Sequence, residues 1–228
     1  TGLNLGGPES LDLTHAHGEW AQRASLEAFL TEPARFWEYF YPTALRIAER
    51  RPGPAHDALA RLERAGLVSA LITQAVDRLH HRAGSVDPVE VYGTVLVVRC
   101  ERCGERYGLP EVGALLAEAV DGVPRCTAED CGYPLRPEGT LWGEALPRRA
   151  VERAWEIAAG ADAFVVLDSD LRTAPISLLP SVPLTRGAPV VLVGETPTQY
   201  DRYAHLLIRA PSTGVLVAAA DLIAPAAA

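Results

Sequence analysis

The chain has 228 residues, of which 48% are hydrophobic, and its 29 acidic residues outnumber its 21 basic residues to give a formal net charge of −8. This composition excludes an intrinsically disordered chain and a disulfide-dependent miniprotein, because a chain of this length and hydrophobicity can bury its own core. The acidity and the lack of an apolar run of roughly 18 residues predict a cytoplasmic protein that binds neither nucleic acid nor membrane.

Apolar residues recur at helical spacing in two early segments, which we predict as amphipathic helices. The first covers residues 33–50, and the second follows the Pro- and Gly-rich break at residues 51–54. The side chains expected to face the core are Phe36, Trp37, Phe40, Leu59, Leu62 and Leu67.

Extended segments and one short helix are predicted next. Residues 69–73 form an apolar run that is typical of a buried parallel strand. A helix is expected to begin near Asp77, a residue type favoured at helix starts, and to end at Gly84. Residues 89–99 then predict an extended segment that leads into the first cysteine of the chain.

Four cysteines occur in two pairs with the spacing C-x2-C-x22-C-x4-C: Cys100, Cys103, Cys126 and Cys131. In a protein expected in the cytoplasm, this spacing favours a tetrahedral zinc site over two disulfide bonds. Gly104 and Gly132 each follow a pair, so the backbone can fold closely around a metal. Zinc with four cysteine ligands is structural, and the alternative is four unrelated reduced thiols.

Helices and apolar strands alternate after Pro147. The predicted segments are helices at 148–160, 176–179 and 213–223 and strands at 163–167, 189–193 and 206–209. Strands that are apolar throughout and alternate with helices indicate a parallel sheet covered on both faces. The sequence therefore predicts a doubly wound α/β fold, interrupted by the cysteine module and its own helix at 110–120.

Several motifs share their order with one known family. They are PGPAHDALARLE at 52–63, TQAVDRLHHRAGS at 73–85, VEVYGTV at 89–95, the cysteine pairs, LWGEALP at 141–147, DSDLRTAP at 168–175 and GETPTQYD at 194–201. In this order they resemble the sirtuins, which are NAD-dependent protein deacylases. The resemblance implies a Rossmann-like domain at 1–93 and 141–228, with a helical lobe at about 31–66, and a zinc-ribbon lobe at 94–140.

The resemblance also implies an NAD site with several altered positions. The residues it assigns to cofactor binding are Gly2, Asn4, Gln74, Ala75, Asp168, Ser169, Gly194 and Glu195. Asn4 stands where the family has a second phosphate-loop glycine, and Ala75 replaces an asparagine that orients the catalytic water and the nicotinamide ribose. Asp168 and Asp170 flank Ser169 in the segment that matches Gly-Thr-Ser, and carboxylates there repel the cofactor phosphates.

The general-base histidine of the family corresponds to Tyr92. In the family's mechanism, an acyl-lysine oxygen attacks the ribose carbon as nicotinamide leaves, and the histidine then activates the alkylimidate that results. An imidazole with a pKa near 6.5 can accept a ribose proton at neutral pH, whereas a tyrosine with a pKa of about 10 is mostly protonated.

Two functions are therefore expected. The first is a sirtuin-like zinc protein without ordinary NAD-dependent deacylase activity, which acts as a binding or regulatory subunit for a protein partner or hetero-oligomer. The second is a divergent NAD-dependent deacylase, ADP-ribosyltransferase or N-glycosidase that uses Asp77 with Tyr92 or His80 on an NAD-derived nucleotide.

Some of these residues also have a simpler structural explanation. His56 is expected to be a structural histidine, and Asp168 and Asp170 can cap a helix in the place of a phosphate. The family also places a central strand before Thr1, and a sheet without that strand is expected to contain a buried gap.

Overall fold

The structure is a computed structural model that describes residues 20–224. Within this range, helices α1 to α8 span Leu26–Thr31, Pro33–Ala48, Pro54–Arg64, Leu79–Arg82, Leu109–Glu118, Arg148–Gly160, Ser181–Thr185 and Ser212–Ile223. Strands β1 to β8 span Ile72–Thr73, Val89–Glu90, Val97–Cys100, Arg106–Gly108, Leu135–Pro137, Phe164–Leu167, Val190–Val193 and Leu206–Ile208. Short 3-10 turns occur at Ile176–Leu178 and Asp201–Tyr203. None of the helices in residues 20–224 has the length and apolarity needed to cross a membrane.

Parallel pairing confirms the predicted α/β fold. Strands β6, β7 and β8 form one sheet in that order, with Val191 opposite Val165 and Leu206. Strands β1 and β2 form a second parallel pair, in which Ile72 lies opposite Val89. The strand predicted at 69–73 is shorter than expected, because only its last two residues pair.

The parallel strands form two sheets rather than the single expected sheet. Within residues 20–224 no strand joins β1 to β6, and a cleft of about 460 Å³ is lined by residues of both. Its walls include the apolar side chains of Leu71, Ile72, Phe164 and Val166. An apolar cleft therefore separates β1 from β6 in the described part of the chain.

A small antiparallel lobe lies between these sheets in the sequence. Strand β3 pairs with β4 on one side and with β5 on the other, and α5 matches the helix predicted at 110–120. The prediction of one extended segment at 89–99 was wrong, because the chain turns between β2 and β3. Gly93 has φ +67° in this turn, and a Cβ atom on it would lie 3.1 Å from the carbonyl oxygen of Glu138.

The aromatic side chains of α2 connect the helical part to the antiparallel lobe. Phe36, Trp37 and Phe40 are at most 1% exposed and share one cluster with Val98 and Leu135 of the lobe. Their ring centroids lie 5.2 to 5.6 Å apart. Truncation of one such ring typically costs about 3–5 kcal/mol, so α2 is firmly held against the lobe.

Helix α3 packs against the last helix of the chain. Leu59 and Leu62 contact a cluster that includes Leu216 of α8, as their spacing predicts. The prediction for Leu67 was wrong, since this side chain is 55% exposed. Helix α3 ends at Arg64, and Gly66 has φ +73°, so Leu67 lies beyond the buried face of the helix.

Candidate metal centre and nucleotide site

The four cysteines meet at one end of the antiparallel lobe, and their sulfur atoms all lie within 4.8 Å of one another. The separations are 3.6 Å for Cys100 and Cys131, 3.4 Å for Cys103 and Cys126, and 3.8 Å for Cys103 and Cys131. Zinc–sulfur bonds of about 2.3 Å in a tetrahedron place the sulfurs about 3.8 Å apart. The donor set and its dimensions therefore fit a structural zinc ion held by these four thiolates.

Two tight turns bring the cysteines together. Cys100 ends β3, and its amide donates a hydrogen bond of 2.8 Å to the carbonyl oxygen of Glu105. Gly104 and Gly132 have φ +81° and +58°, which are values that favour glycine and which the folding around a metal requires. When bound, zinc supplies a cross-link between the two turns and leaves no open position for a substrate.

A second site lies at the carboxyl ends of β6 and β7. Asp168 and Ser169 follow β6, Gly194 and Glu195 follow β7, and all four line one cavity of about 270 Å³. Open α/β sheets bind ligands at this edge. The structure thus brings together four of the residues predicted to bind the cofactor.

Arg209 lines the same cavity and was missed by sequence reasoning. Its guanidinium donates hydrogen bonds to the carbonyl oxygens of Gly194 and Thr196 at 3.0 and 2.9 Å and forms an ion pair with Asp201. The signal that could have found it is its position directly after β8, at the same edge of the sheet.

Asp168 places a carboxylate at the start of the last helix. Its side chain accepts a hydrogen bond from the hydroxyl of Ser212, the first residue of α8. Asp168 has φ +45°, and a Cβ atom on Gly194 would lie 3.1 Å from its Oδ1. Asp170 is more exposed and accepts a hydrogen bond from the amide of Arg172 at 3.2 Å. Asp168, but not Asp170, therefore faces a helix start.

Tyr92 follows β2 and is half-buried. Burial raises the pKa of its phenol, and the nearby carboxylate of Asp170 raises that pKa further. The backbone oxygen of Tyr92 accepts a hydrogen bond of 2.8 Å from the amide of Thr140, which fixes this part of the chain. The phenol is therefore protonated at neutral pH.

Gln74 and Ala75 occupy the loop after β1. Gln74 lines the apolar cleft between the two parallel sheets. Ala75 is buried, and its amide donates a hydrogen bond of 3.0 Å to the hydroxyl of Thr73. The methyl side chain of Ala75 offers no polar contact to a ligand. Gly2 and Asn4, the other two residues predicted to bind the cofactor, lie outside the described residues.

Asp77 and His80 lie in a buried cluster with His56. The rings of His56 and His80 are 4.7 Å apart, and Asp77 is fully buried beside His56. Burial raises the pKa of Asp77 and lowers the pKa of His80 to about 4. His80 is therefore neutral at pH 7.

Part of this cluster has a clear structural role. His56 Nδ1 accepts a hydrogen bond of 3.1 Å from the amide of Gly53 at the start of α3, as a structural histidine does. Oδ1 of Asp77 accepts one of 3.0 Å from the amide of Leu79, but the prediction of Asp77 as the helix cap was wrong, because Arg78 occupies the cap position. Oδ2 of Asp77 and Nδ1 of His80 have no hydrogen-bond partner among the described residues.

Glu90 is a further titratable residue that sequence reasoning missed. Burial raises its pKa to about 7, although Arg78 at 3.8 Å lowers that pKa. It lines a cleft of about 360 Å³ between β2 and the antiparallel lobe, together with Arg136 and Glu144. Arg136 and Glu144 form a bidentate ion pair, in which the two terminal guanidinium nitrogens donate hydrogen bonds of 2.7 and 2.8 Å to the two carboxylate oxygens. No sequence pattern predicts this cleft, because it forms only where β2 meets the antiparallel lobe in the folded chain.

The geometry defines a Rossmann-like protein with an inserted four-cysteine lobe. A profile of the Sir2 family matches residues 14–175. The NAD-dependent protein deacylase of Thermus thermophilus is 35% identical over 235 residues, with coverage of 99% of this chain and 88% of the relative. NAD-dependent protein deacetylase 1 of Pyrobaculum aerophilum is 34% identical over 209 residues, with coverage of 90% and 80%. The chain belongs to the Sir2 family, the sirtuins.

Solved structures agree with this assignment. A structure of Sir2 bound to an acetylated peptide has a TM-score of 0.83 and 30% identity, and the match covers 91% of this chain and 86% of that one. A Sir2 histidine-to-tyrosine mutant with a p53 peptide and NAD has a TM-score of 0.80 and 31% identity, with coverage of 88% and 83%. The resemblance inferred from the motifs is thus confirmed.

Proposed function

We propose that this sirtuin lacks ordinary deacylase turnover and acts as a binding or regulatory subunit that recognises a protein partner. The observation that carries the proposal is Tyr92, a half-buried phenol beside Asp170 at the position that the motifs assign to the general base. Its raised pKa keeps the proton on oxygen, so it cannot accept one from a ribose hydroxyl near pH 7. Loss of a general base typically lowers the rate by about 10² to 10⁴.

The charge at the nucleotide site supports the same proposal. The carboxylate of Asp168 bonds to Ser212 at the start of α8, where the partial positive charge of a helix favours an anion. A cofactor phosphate at this position would meet a negative charge already in place. Ala75, in the loop after β1, has no polar side-chain atom and so removes a further contact that the family makes.

A second candidate function is a divergent NAD-dependent deacylase, ADP-ribosyltransferase or N-glycosidase. The cavity that collects Asp168, Ser169, Gly194 and Glu195 favours retained nucleotide binding. The solved mutant with tyrosine in place of a histidine was obtained with a peptide and NAD, so such an exchange is compatible with ligand binding in that relative. Cleavage of nicotinamide precedes the step that uses the general base, and Asp77 or His80 would then assist.

One experiment separates the two functions. Zinc-loaded protein is titrated calorimetrically with NAD and with ADP-ribose, and nicotinamide release is followed with and without an acetylated peptide. The binding function predicts absent or millimolar nucleotide affinity and no turnover. Nicotinamide release that disappears in the Asp77→Asn variant would contradict it and support the enzyme. For either function we propose a cytoplasmic location.

A further inference from the structure

The sulfur of Cys126 accepts a hydrogen bond from a buried side chain. Tyr107 lies on β4, is 6% exposed, and its hydroxyl is 3.1 Å from Cys126 Sγ. Backbone amides donate to other cysteines of the group, namely those of Arg102 and Cys103 to Cys100 and that of Tyr133 to Cys131. Cys126 therefore differs from Cys100 and Cys131, because its sulfur accepts a hydrogen bond from a phenol hydroxyl.

The neighbouring backbone directs the phenol proton towards sulfur. The amide of Thr127 donates a hydrogen bond of 2.8 Å into the Tyr107 oxygen. One lone pair of the phenol is thereby occupied, and its single proton remains to be donated. The two acceptors within reach are Cys126 Sγ at 3.1 Å and the hydroxyl oxygen of Thr127 at 3.3 Å. A charged thiolate is the stronger acceptor of the two.

We propose that Tyr107 is a positioning residue of the zinc centre, which holds the Cys126 thiolate in place and lowers its reactivity. A donor to a ligating sulfur reduces the negative charge on that sulfur and fixes its orientation. Four thiolates around one zinc ion carry a net charge of about −2. Each hydrogen-bond donor to a sulfur therefore stabilises the centre by reducing this excess of negative charge. Loss of this bond would leave the sulfur of Cys126 more mobile and more exposed to alkylating agents and competing chelators.

The test uses the zinc-loaded full chain and its Tyr107→Phe variant, which keeps the ring in the core and removes only the hydroxyl. Zinc release is followed with a chromophoric chelator in the presence of N-ethylmaleimide. We expect release to be about 10-fold faster in Tyr107→Phe, the lower end of the effect of partners that orient metal ligands. The sulfur-to-metal charge-transfer band of the cobalt-substituted variant is expected to move to longer wavelength.

Two control variants distinguish the hydrogen bond from general loosening of the lobe. Tyr133→Phe changes a ring that is 41% exposed and lies over Arg102, and we expect it to release zinc at the wild-type rate. Thr127→Ala removes the competing acceptor but keeps the amide, so release is expected at or below the wild-type rate. Equal acceleration in all three variants would overturn the proposal, as would an unchanged rate and band in Tyr107→Phe.

Thr127→Ala also decides the question if Tyr107→Phe does not fold. Release at or below the wild-type rate then supports donation of the phenol proton to Cys126. Release faster than in the wild type would show that packing around Thr127, rather than the bond to sulfur, protects the metal, and would contradict the proposal.

Discussion

The carboxylate of Asp168 accepts a hydrogen bond from the hydroxyl of Ser212, the first residue of α8. These two residues are 44 positions apart, and their contact joins the loop after β6 to the start of the last helix. Backbone amides at a helix start attract anions, and Asp168 supplies one from within the protein. Under the proposed function, this internal carboxylate opposes the binding of a nucleotide phosphate at the same position.

Removing this charge is expected to strengthen nucleotide binding. Asparagine tolerates the positive φ of position 168 and keeps an acceptor for Ser212, so Asp168→Asn changes little except charge. We expect the affinity for ADP-ribose to rise by about 1–2 kcal/mol, or roughly 5- to 30-fold at low salt. Isothermal titration calorimetry of both proteins measures the difference.

Asp170→Asn is the matched control for that substitution. Asp170 is more exposed and bonds to Arg172 within its own turn, so its charge is largely screened. An equal gain in both variants would assign the effect to overall charge rather than to the contact with Ser212.

A histidine at position 92 is expected to restore part of the deacylase chemistry. Tyr92→His supplies a base that titrates near neutral pH, and we expect turnover of an acetylated peptide to rise at least about tenfold. The gain is smaller than the full contribution of a base, because Ala75 and Asp168 remain. Nicotinamide release and product formation are measured together.

Tyr92→Phe serves as the control, because it keeps the ring and removes the hydroxyl. If Tyr92 has no role in proton transfer, this variant has the same activity as the wild type. A wild-type activity that Tyr92→Phe abolishes would instead assign the phenol a catalytic role and contradict the proposed function.

Much of the fold and of the metal centre could be predicted from local patterns. The cysteine spacing and the two adjacent glycines specify a zinc-type site because sequence neighbours form each half of it. The boundaries of α5 and α6 follow from uninterrupted helical periodicity. In contrast, the turn at Gly93 was not predicted, because the apolar residues on both sides of it favour an extended chain, and the close approach of Glu138 to Gly93 joins residues that are distant in the sequence.

The candidate nucleotide site was harder to predict for the same reason. The residues after β6 and β7 were identified through motifs, but Arg209 and Ser212 come from the other side of the site and share no local pattern with them. The cluster of His56 and His80 likewise joins two helices whose packing only the tertiary structure specifies.

Acid is expected to destabilise the protein through His80. Its folded pKa of about 4 lies below the ordinary value of 6.5, so the unfolded chain binds more protons between these values. The stability is therefore present above pH 6.5 and falls as the pH decreases. Between pH 7.5 and 5.5 we expect His80 to lower the free energy of unfolding by about 1–1.5 kcal/mol.

Urea unfolding at the two pH values measures this loss. His80→Gln is expected to be less stable at pH 7.5 but to lose less stability on acidification. His205→Gln is the control for the loss of a histidine, because that residue is exposed and directly precedes β8, in the other parallel sheet. If His80→Gln loses as much stability between the two pH values as the wild type does, other groups determine the response to acid. His56 and Asp77 are the nearest of these groups.

Zinc removal is expected to loosen the aromatic core as well as the antiparallel lobe. Cys100 and Cys126 belong to the same buried cluster as Trp37, so the metal and the rings of α2 stabilise each other. We expect about one zinc per chain by metal analysis of reduced protein, and chelation should lower the free energy of unfolding by roughly 3 kcal/mol or more. Tryptophan fluorescence during denaturation follows this loss of stability.

Cys126→Ser should reproduce the effect of chelation, whereas Glu129→Gln, an exposed change in the same turn, should not. Freshly prepared protein that contains no metal and unfolds identically with and without chelator would contradict this prediction.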